Sequence, residues 1–238
     1  MKKVMLLMCI IGLFCVSNVF GTTVKVLEDG SNAGYTSGGC GNGTSSESSG
    51  GISGEGNWVK YWMYRAGSEP TYAIWTHKYS SVEDWSAYKN EALEHCFQFD
   101  NTYGDGAILK VSFSFRGYNG DIANNDKRYI ELIVETAGLQ SNHWYKAHFD
   151  FNNGQVNGSG SYVIDLSTGQ QVSGITVRSN NTFTDSAWQQ IFEWSPSVGL
   201  SNPGTGTSYI GMDNIKWLPE PATIGLFSMG LGLFLKKR

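Results

Sequence analysis

From Trp58 onward, apolar and polar residues alternate with a period of two almost everywhere along the chain. The run Ala107–Arg116 puts Leu109, Val111, Phe113 and Phe115 on one side and Lys110, Ser112, Ser114 and Arg116 on the other. This is the signature of an antiparallel strand with one face on a core and the other on water. Trp58–Arg65, Thr71–Tyr79, Phe97–Asp100, Arg128–Thr136, His143–Phe151, Tyr162–Asp165, Gly174–Arg178, Trp188–Trp194 and Tyr209–Trp217 read similarly, and Thr22–Leu27 adds a first strand. Gly, Asn, Asp or Ser clusters separate most of them, as strand-joining turns require. Roughly eleven short strands and one helical turn near Val82–Leu93 predict an all-β fold, an antiparallel two-sheet β-sandwich of jelly-roll type.

The last strand changes phase. Ile210 and Met212 share one parity while Ile215 and Trp217 share the other, so an extra residue at Asp213–Asn214 predicts a β-bulge that restores a common face. Upstream, the 28 residues from Gly30 to Asn57 include 10 Gly and 7 Ser. With so little apolar surface to bury, they read as a flexible segment within a body spanning residues 22–218.

Composition sharpens the class. Aromatics make up 13% of the chain, with 30 Gly against 5 Pro, which suits pleated surfaces and tight turns and speaks against a helical bundle. Five of the 17 basic residues are Lys2, Lys3, Lys236, Lys237 and Arg238, so the chain between them holds 12 basic against 21 acidic side chains, net −9. An acidic body without a basic stripe excludes nucleic acid as the expected partner.

Both ends read as addresses. Lys2 and Lys3 precede the apolar run Val4–Val16, and Val19-Phe20-Gly21 offers a small residue before Thr22, which predicts a secretory signal peptide over residues 1–21. At the other end Pro219-Glu220-Pro221 leads into the uncharged stretch Ala222–Leu235 and then Lys236-Lys237-Arg238. Fourteen helical residues reach about 21 Å, short of the ~30 Å hydrocarbon core, so a permanent lone anchor is strained. This tail resembles the PEP-CTERM sorting signal of exported bacterial proteins. Pro219, Glu220 and Pro221 match its motif, and Lys236, Lys237 and Arg238 match its basic end. The resemblance implies a transient inner-membrane stage, cleavage by an exosortase, and delivery to the cell surface or extracellular matrix of a Gram-negative-type bacterium.

Within the body, Tyr209–Trp217 resembles the closing strand of carbohydrate-binding-module jelly rolls, as do Ala147–Gln155 running into its Asn-Gly turn and Trp188 opening a long strand. That resemblance implies a possible structural calcium held by Glu28 and Asp213, against the simpler reading of a capped bulge and an ordinary turn. Trp58, Lys60, Trp62 and Tyr64 share a parity. Flat rings beside a donor suit sugar stacking, while large aromatics at period two equally suit a core.

Two cysteines, Cys40 and Cys96, remain after signal removal, and an oxidising compartment favours their pairing. Glu131 and Glu135 share a strand face with Ile133 between them. They resemble the paired glutamates of laminarinase-like glycoside hydrolases, with Ile133 where that family has an aspartate. His77, His95, His143 and His148 show no zinc-binding spacing with the cysteines. The sequence thus favours an exported, non-enzymatic sandwich that binds polysaccharide or acts structurally, with no cofactor beyond that calcium. The alternative is an extracellular glycoside hydrolase using Glu131 and Glu135.

Overall fold

The computed structural model describes residues 24–28, 35–39, 41–52, 56–65, 71–100, 109–135, 139–200 and 206–218. The signal peptide at 1–21, the tail at 219–238 and Cys40 lie outside the described residues. The strands are β1 (Lys25–Glu28), β2 (Tyr35–Gly39), β3 (Gly41–Glu47), β4 (Trp58–Arg65), β5 (Thr71–Glu83), β6 (Ala92–Phe99), β7 (Leu109–Tyr118), β8 (Lys127–Glu135), β9 (Tyr145–Asn152), β10 (Gln155–Val156), β11 (Tyr162–Asp165), β12 (Gln170–Gln171), β13 (Val177–Asn181), β14 (Ile191–Leu200) and β15 (Gly206–Leu218). They form two antiparallel sheets. Sheet I runs β12-β11-β9-β6-β15-β4-β3, with β1 also on β15 and β10 on β9, and sheet II runs β13-β8-β7-β14-β5-β2.

The expected sandwich is therefore present, with corrections at its margins. The Gly/Ser-rich segment is not simply a flexible loop, because it contributes β2 to sheet II and β3 to sheet I. Both are edge strands, where backbone hydrogen bonds alone can hold a segment of poor strand propensity. The strand expected at Trp188–Trp194 begins only at Ile191. The Thr184 hydroxyl accepts the Ala187 N–H and caps a one-turn helix, α1 (Asp185–Trp188), as a threonine preceding an acidic first turn favours. The helical turn anticipated near Val82–Leu93 is a 3₁₀ turn at Ser86–Tyr88.

The core lies between the sheets. Val111, Phe113 and Phe115 of β7 and Ile130, Leu132 and Val134 of β8 meet Leu93, Phe97, Tyr145, Phe149 and Trp217 from sheet I. Towards one end it becomes almost wholly aromatic: Trp85, Phe115, Phe151, Trp188 and Trp217 interlock with ring centroids 5.2–6.1 Å apart, within the range of favourable edge and tilted packing. The predicted bulge is also present. The β15–β6 register shifts between Asp213 and Lys216, Asn214 takes a left-handed φ of 48°, and the Asp213 carboxylate accepts the Asn214 N–H at 2.8 Å. Asparagine tolerates this conformation better than most residues. It lets Met212 and Ile215 both reach the core.

A second bulge, which the sequence reading did not anticipate, interrupts β14 between Ile191 and Glu193. It turns Ile191 and Trp194 into the core and leaves Glu193, Ser195 and Ser197 on the opposite side of sheet II, where Glu193 and Ser195 are nonetheless buried.

Candidate functional site

The first aromatic of the β4 parity, Trp58, does not stand on an open platform. Trp58 is 4% exposed and belongs to a small second core with Cys96 and Trp144 on the outer side of sheet I. Its ring meets Trp144 edge-on at 5.5 Å, and a Cβ on Gly211 would stand 2.7 Å from it. Residues 48–52 close over this cluster, with the Ser49 and Gly50 carbonyls accepting the Trp58 and Trp144 indole N–H groups. Burial thus corrects the stacking role for Trp58. Of the other two candidates only the backbone is described: Trp62 pairs with Tyr209, and Tyr64 with Thr207. Lys60 sits 4.1 Å from the Tyr209 ring centre.

Of the expected Cys40–Cys96 pair, only Cys96 is among the described residues. Cys96 is a free thiol, and burial pushes its pKa up to about 12, with the Glu94 charge adding to the effect.

For calcium, the backbone of Glu28 pairs with Ile215, two residues from Asp213. Asp213 is 1% exposed and one of its oxygens is committed to the bulge. Among the described residues no group of three or more His, Cys, Asp or Glu side chains converges, and the Glu28 side chain lies outside them. The histidines are placed individually. His95 packs in the core against Phe97 and Phe113, His77 stacks on Trp194, and His143 lies 3.5 Å from Asp165.

His148 joins a polar layer on sheet I. Its ring lies parallel to that of Tyr162 at 4.5 Å, and Glu94 reaches both Lys146 at 3.0 Å and His148 at 3.6 Å. Burial by itself raises the Glu94 pKa, but the contacts from His148 and Lys146 hold it below the ordinary value.

Sheet II presents a different surface. Glu131 and Glu135 are half-buried on the outward face of β8, as expected, and Ile133 between them is fully buried. Four residues of strand separate the two glutamates by about 13 Å of backbone, beyond the ~5 to 5.5 Å carboxyl spacing of a retaining pair. Glu131 is instead engaged by Asn180, whose amide donates to it at 3.1 Å.

That contact is one end of a row crossing five adjacent strands. From β13 it runs Asn180, Glu131 and Ser114, in register, then Ser195, whose carbonyl accepts the Ser114 hydroxyl and whose own hydroxyl donates to Thr76 at 3.0 Å. A parallel row joins the Ser112 and Ser197 hydroxyls. On the other flank, the half-exposed Arg116 donates to Glu193 at 2.6 Å beside Tyr129, which is 43% exposed. Beyond it, Tyr118 and Phe192 pack at 4.5 Å under Lys127. The sequence reading missed this face. Its detectable signal was the alternating Ser112, Ser114 and Arg116, but the β14 bulge that brings Glu193 and Ser195 alongside could not be read from the sequence.

Comparison with solved structures finds the same architecture. A family 30 carbohydrate-binding module matches with a TM-score of 0.52 at 10% sequence identity, over 85% of this chain and 90% of that one. The two chains share an antiparallel two-sheet β-sandwich fold. The family 30 module of a cellulosomal cellulase of Clostridium thermocellum gives 0.49 at 13% identity, over 84% of this chain and 99% of that one. A structure concerned with promiscuous specificity among carbohydrate-binding modules of the β-sandwich superfamily gives 0.47 at 12% identity, covering 83% of this chain. This chain spans 62% of that structure's length. No protein-family model and no curated protein matches the sequence.

Proposed function

We propose that this protein is an exported, non-catalytic binder of polysaccharide, and that the outward face of sheet II is its binding surface. The observation that carries this reading is the exposed Tyr129 and half-exposed Arg116 with the Tyr118–Phe192 pair, beside Asn180 and the half-buried Glu131, on a hydrogen-bonded row that runs on through Ser114 and the buried Ser195 to Thr76. Four strand spacings give the row a length of about 19 Å. A pyranose chain offers apolar ring faces and a periphery of hydroxyls. Aromatic rings receive the first, and carboxylate, guanidinium, amide and hydroxyl groups receive the second. Binding needs no pair of acid and base at hydrolytic spacing. The signal peptide and the PEP-CTERM-like tail support export to a surface or matrix rich in such polymers, with an exosortase as processing partner.

The test is retention of the purified chain on a panel of immobilised glycans, with Arg116→Ala and Tyr129→Ala as variants. The wild type should be retained by at least one polymer. Each variant, with an unchanged circular dichroism spectrum, should weaken binding about tenfold, corresponding to about 1.4 kcal/mol. Retention by no glycan, or variants that bind as the wild type does, overturns the reading.

A further inference from the structure

At one end of the sheet II face, cations from three different strands stand together. Tyr129, Arg116, Glu193 and Lys78 pair in register across β8, β7, β14 and β5, and Lys127 pairs with Tyr118 two residues along from that row. Their common direction follows from their neighbours. Ile130, Phe115 and Trp194 point into the core, and Thr76, two residues before Lys78, meets Ser195 on the outer side. Alternation along each strand therefore sends Lys78, Arg116, Lys127 and Tyr129 outward.

The charges here do not cancel. Glu193 is 5% exposed and is taken up by Arg116, which stays half-exposed. Lys78 and Lys127 are exposed, and among the described residues neither forms an ion pair. The Lys127 ammonium is held instead over the Tyr118 and Phe192 rings, 5.9 and 5.5 Å from their centres. Asp126, next to it in sequence, is committed to Arg128 at 2.9 Å and Asn119 at 2.8 Å. Glu131, further along the same face, is engaged by Asn180 and lies four residues from Lys127. That is about 13 Å of strand, beyond the ~8 Å screening length of physiological salt. Three cations against one acid leave the strip at net +2, within a chain whose middle carries net −9.

We infer that this strip selects the ligand's charge, and that the polymer held on sheet II is an acidic polysaccharide, its uronate carboxylates meeting Lys127, Arg116 and Lys78 while a ring lies on Tyr129. A uronate is a pyranose with a carboxylate at its edge, so it needs an apolar surface with a cation beside it. Tyr129 is 43% exposed, with Arg116 in register on the next strand and Lys127 two residues along its own, about 7 Å away. A guanidinium fork and a point ammonium both suit a carboxylate. The acidic remainder of the body repels the same polymer and so confines it to the strip. This inference rests on the polysaccharide reading of the face and adds the charge of its ligand.

The experiment compares retention of the purified chain on immobilised polygalacturonate and alginate with retention on their methyl esters, which keep the rings and lose the charge. We expect at least one acid form to hold the chain about tenfold more tightly than its ester. Raising NaCl from about 0.1 M to about 1 M, which shortens the screening length from about 10 Å to about 3 Å, should release it. Lys78→Gln combined with Lys127→Gln, with an unchanged circular dichroism spectrum, should abolish the preference. Equal retention on acid and ester, a double variant that keeps the preference, or equally strong binding of dextran sulfate or single-stranded DNA overturns the assignment. Retention by neutral glycans alone, weakened by Tyr129→Ala, overturns the charge preference and leaves the sheet II reading standing. Retention by no glycan removes both.

Discussion

At the scale of single residues, the tightest constraints come from polar groups placed where the sequence pattern calls for apolar ones. His95 occupies an inward position on β6, 1% exposed between phenylalanine rings. Burial depresses its pKa to about 3 from an ordinary 6.5. The folded protein therefore keeps His95 neutral while the unfolded chain takes up a proton below about pH 6.5, so stability present at neutral pH is lost as pH falls towards 3. Near pH 5 this one group should contribute a slope of about 1.4 kcal/mol per pH unit. Urea titrations at several pH values should show that His95→Phe flattens the dependence by that amount, whatever its stability at pH 7. An unchanged slope would mean that His95 is not held neutral. Trp58 makes the complementary point: its period-two position reads equally as core or platform, and only the closure of residues 48–52 settles it.

Whole elements depend on close approaches that no propensity reveals. Helix α1 lies so near β7 that a Cβ on Gly117 would stand 2.1 Å from the Ala187 carbonyl oxygen, and Trp188 at its end carries part of the aromatic core. Glycine at 117 is therefore required by contact with backbone, which cannot rotate aside. Gly117→Ala should force α1 off the strand and destabilise the fold by about 1–3 kcal/mol, read as a lower denaturation midpoint with near-ultraviolet dichroism altered by the displaced Trp188. A midpoint equal to that of the wild type would show that α1 relocates freely. Strands β2 and β3 illustrate the opposite failure of local reading. Their Gly and Ser content predicts a loop, but edge pairing with β5 and β4 makes strands of them.

For the molecule as a whole, the pairing of first and last strands sets how the body leaves its two ends. Lys25 pairs with Trp217 and Val26 with Lys216, so the chain enters β1 and leaves β15 at the same pole. An ion pair from Lys25 to Glu83, with Lys25 also over the Tyr79 and Trp85 rings, ties that pole of sheet I to sheet II. On the sorting reading, the tail that follows β15 is cut away after export. Mass spectrometry of the surface-associated protein in a host with an exosortase should find a C-terminus within Pro219–Thr223. A surface form still carrying Lys236–Arg238 would make the tail a simple anchor.

The sequence by itself determined the sandwich, the strand faces of β7 and β8, and the bulge at Asp213–Asn214. Each follows from side-chain period along a single strand, a local property. It left open which aromatics are covered, where β14 breaks phase, and which side chains meet across a sheet, because neighbouring strands are distant in sequence and their register is set by the whole core. Glu131 shows the division: its outward position is legible in β8, while Asn180, its partner 49 residues away, exists as a neighbour only once β13 has docked. Cys40 and Cys96 show it in reverse. Cysteine count and compartment argued for a bond, while the burial that makes Cys96 a covered free thiol is something composition does not encode.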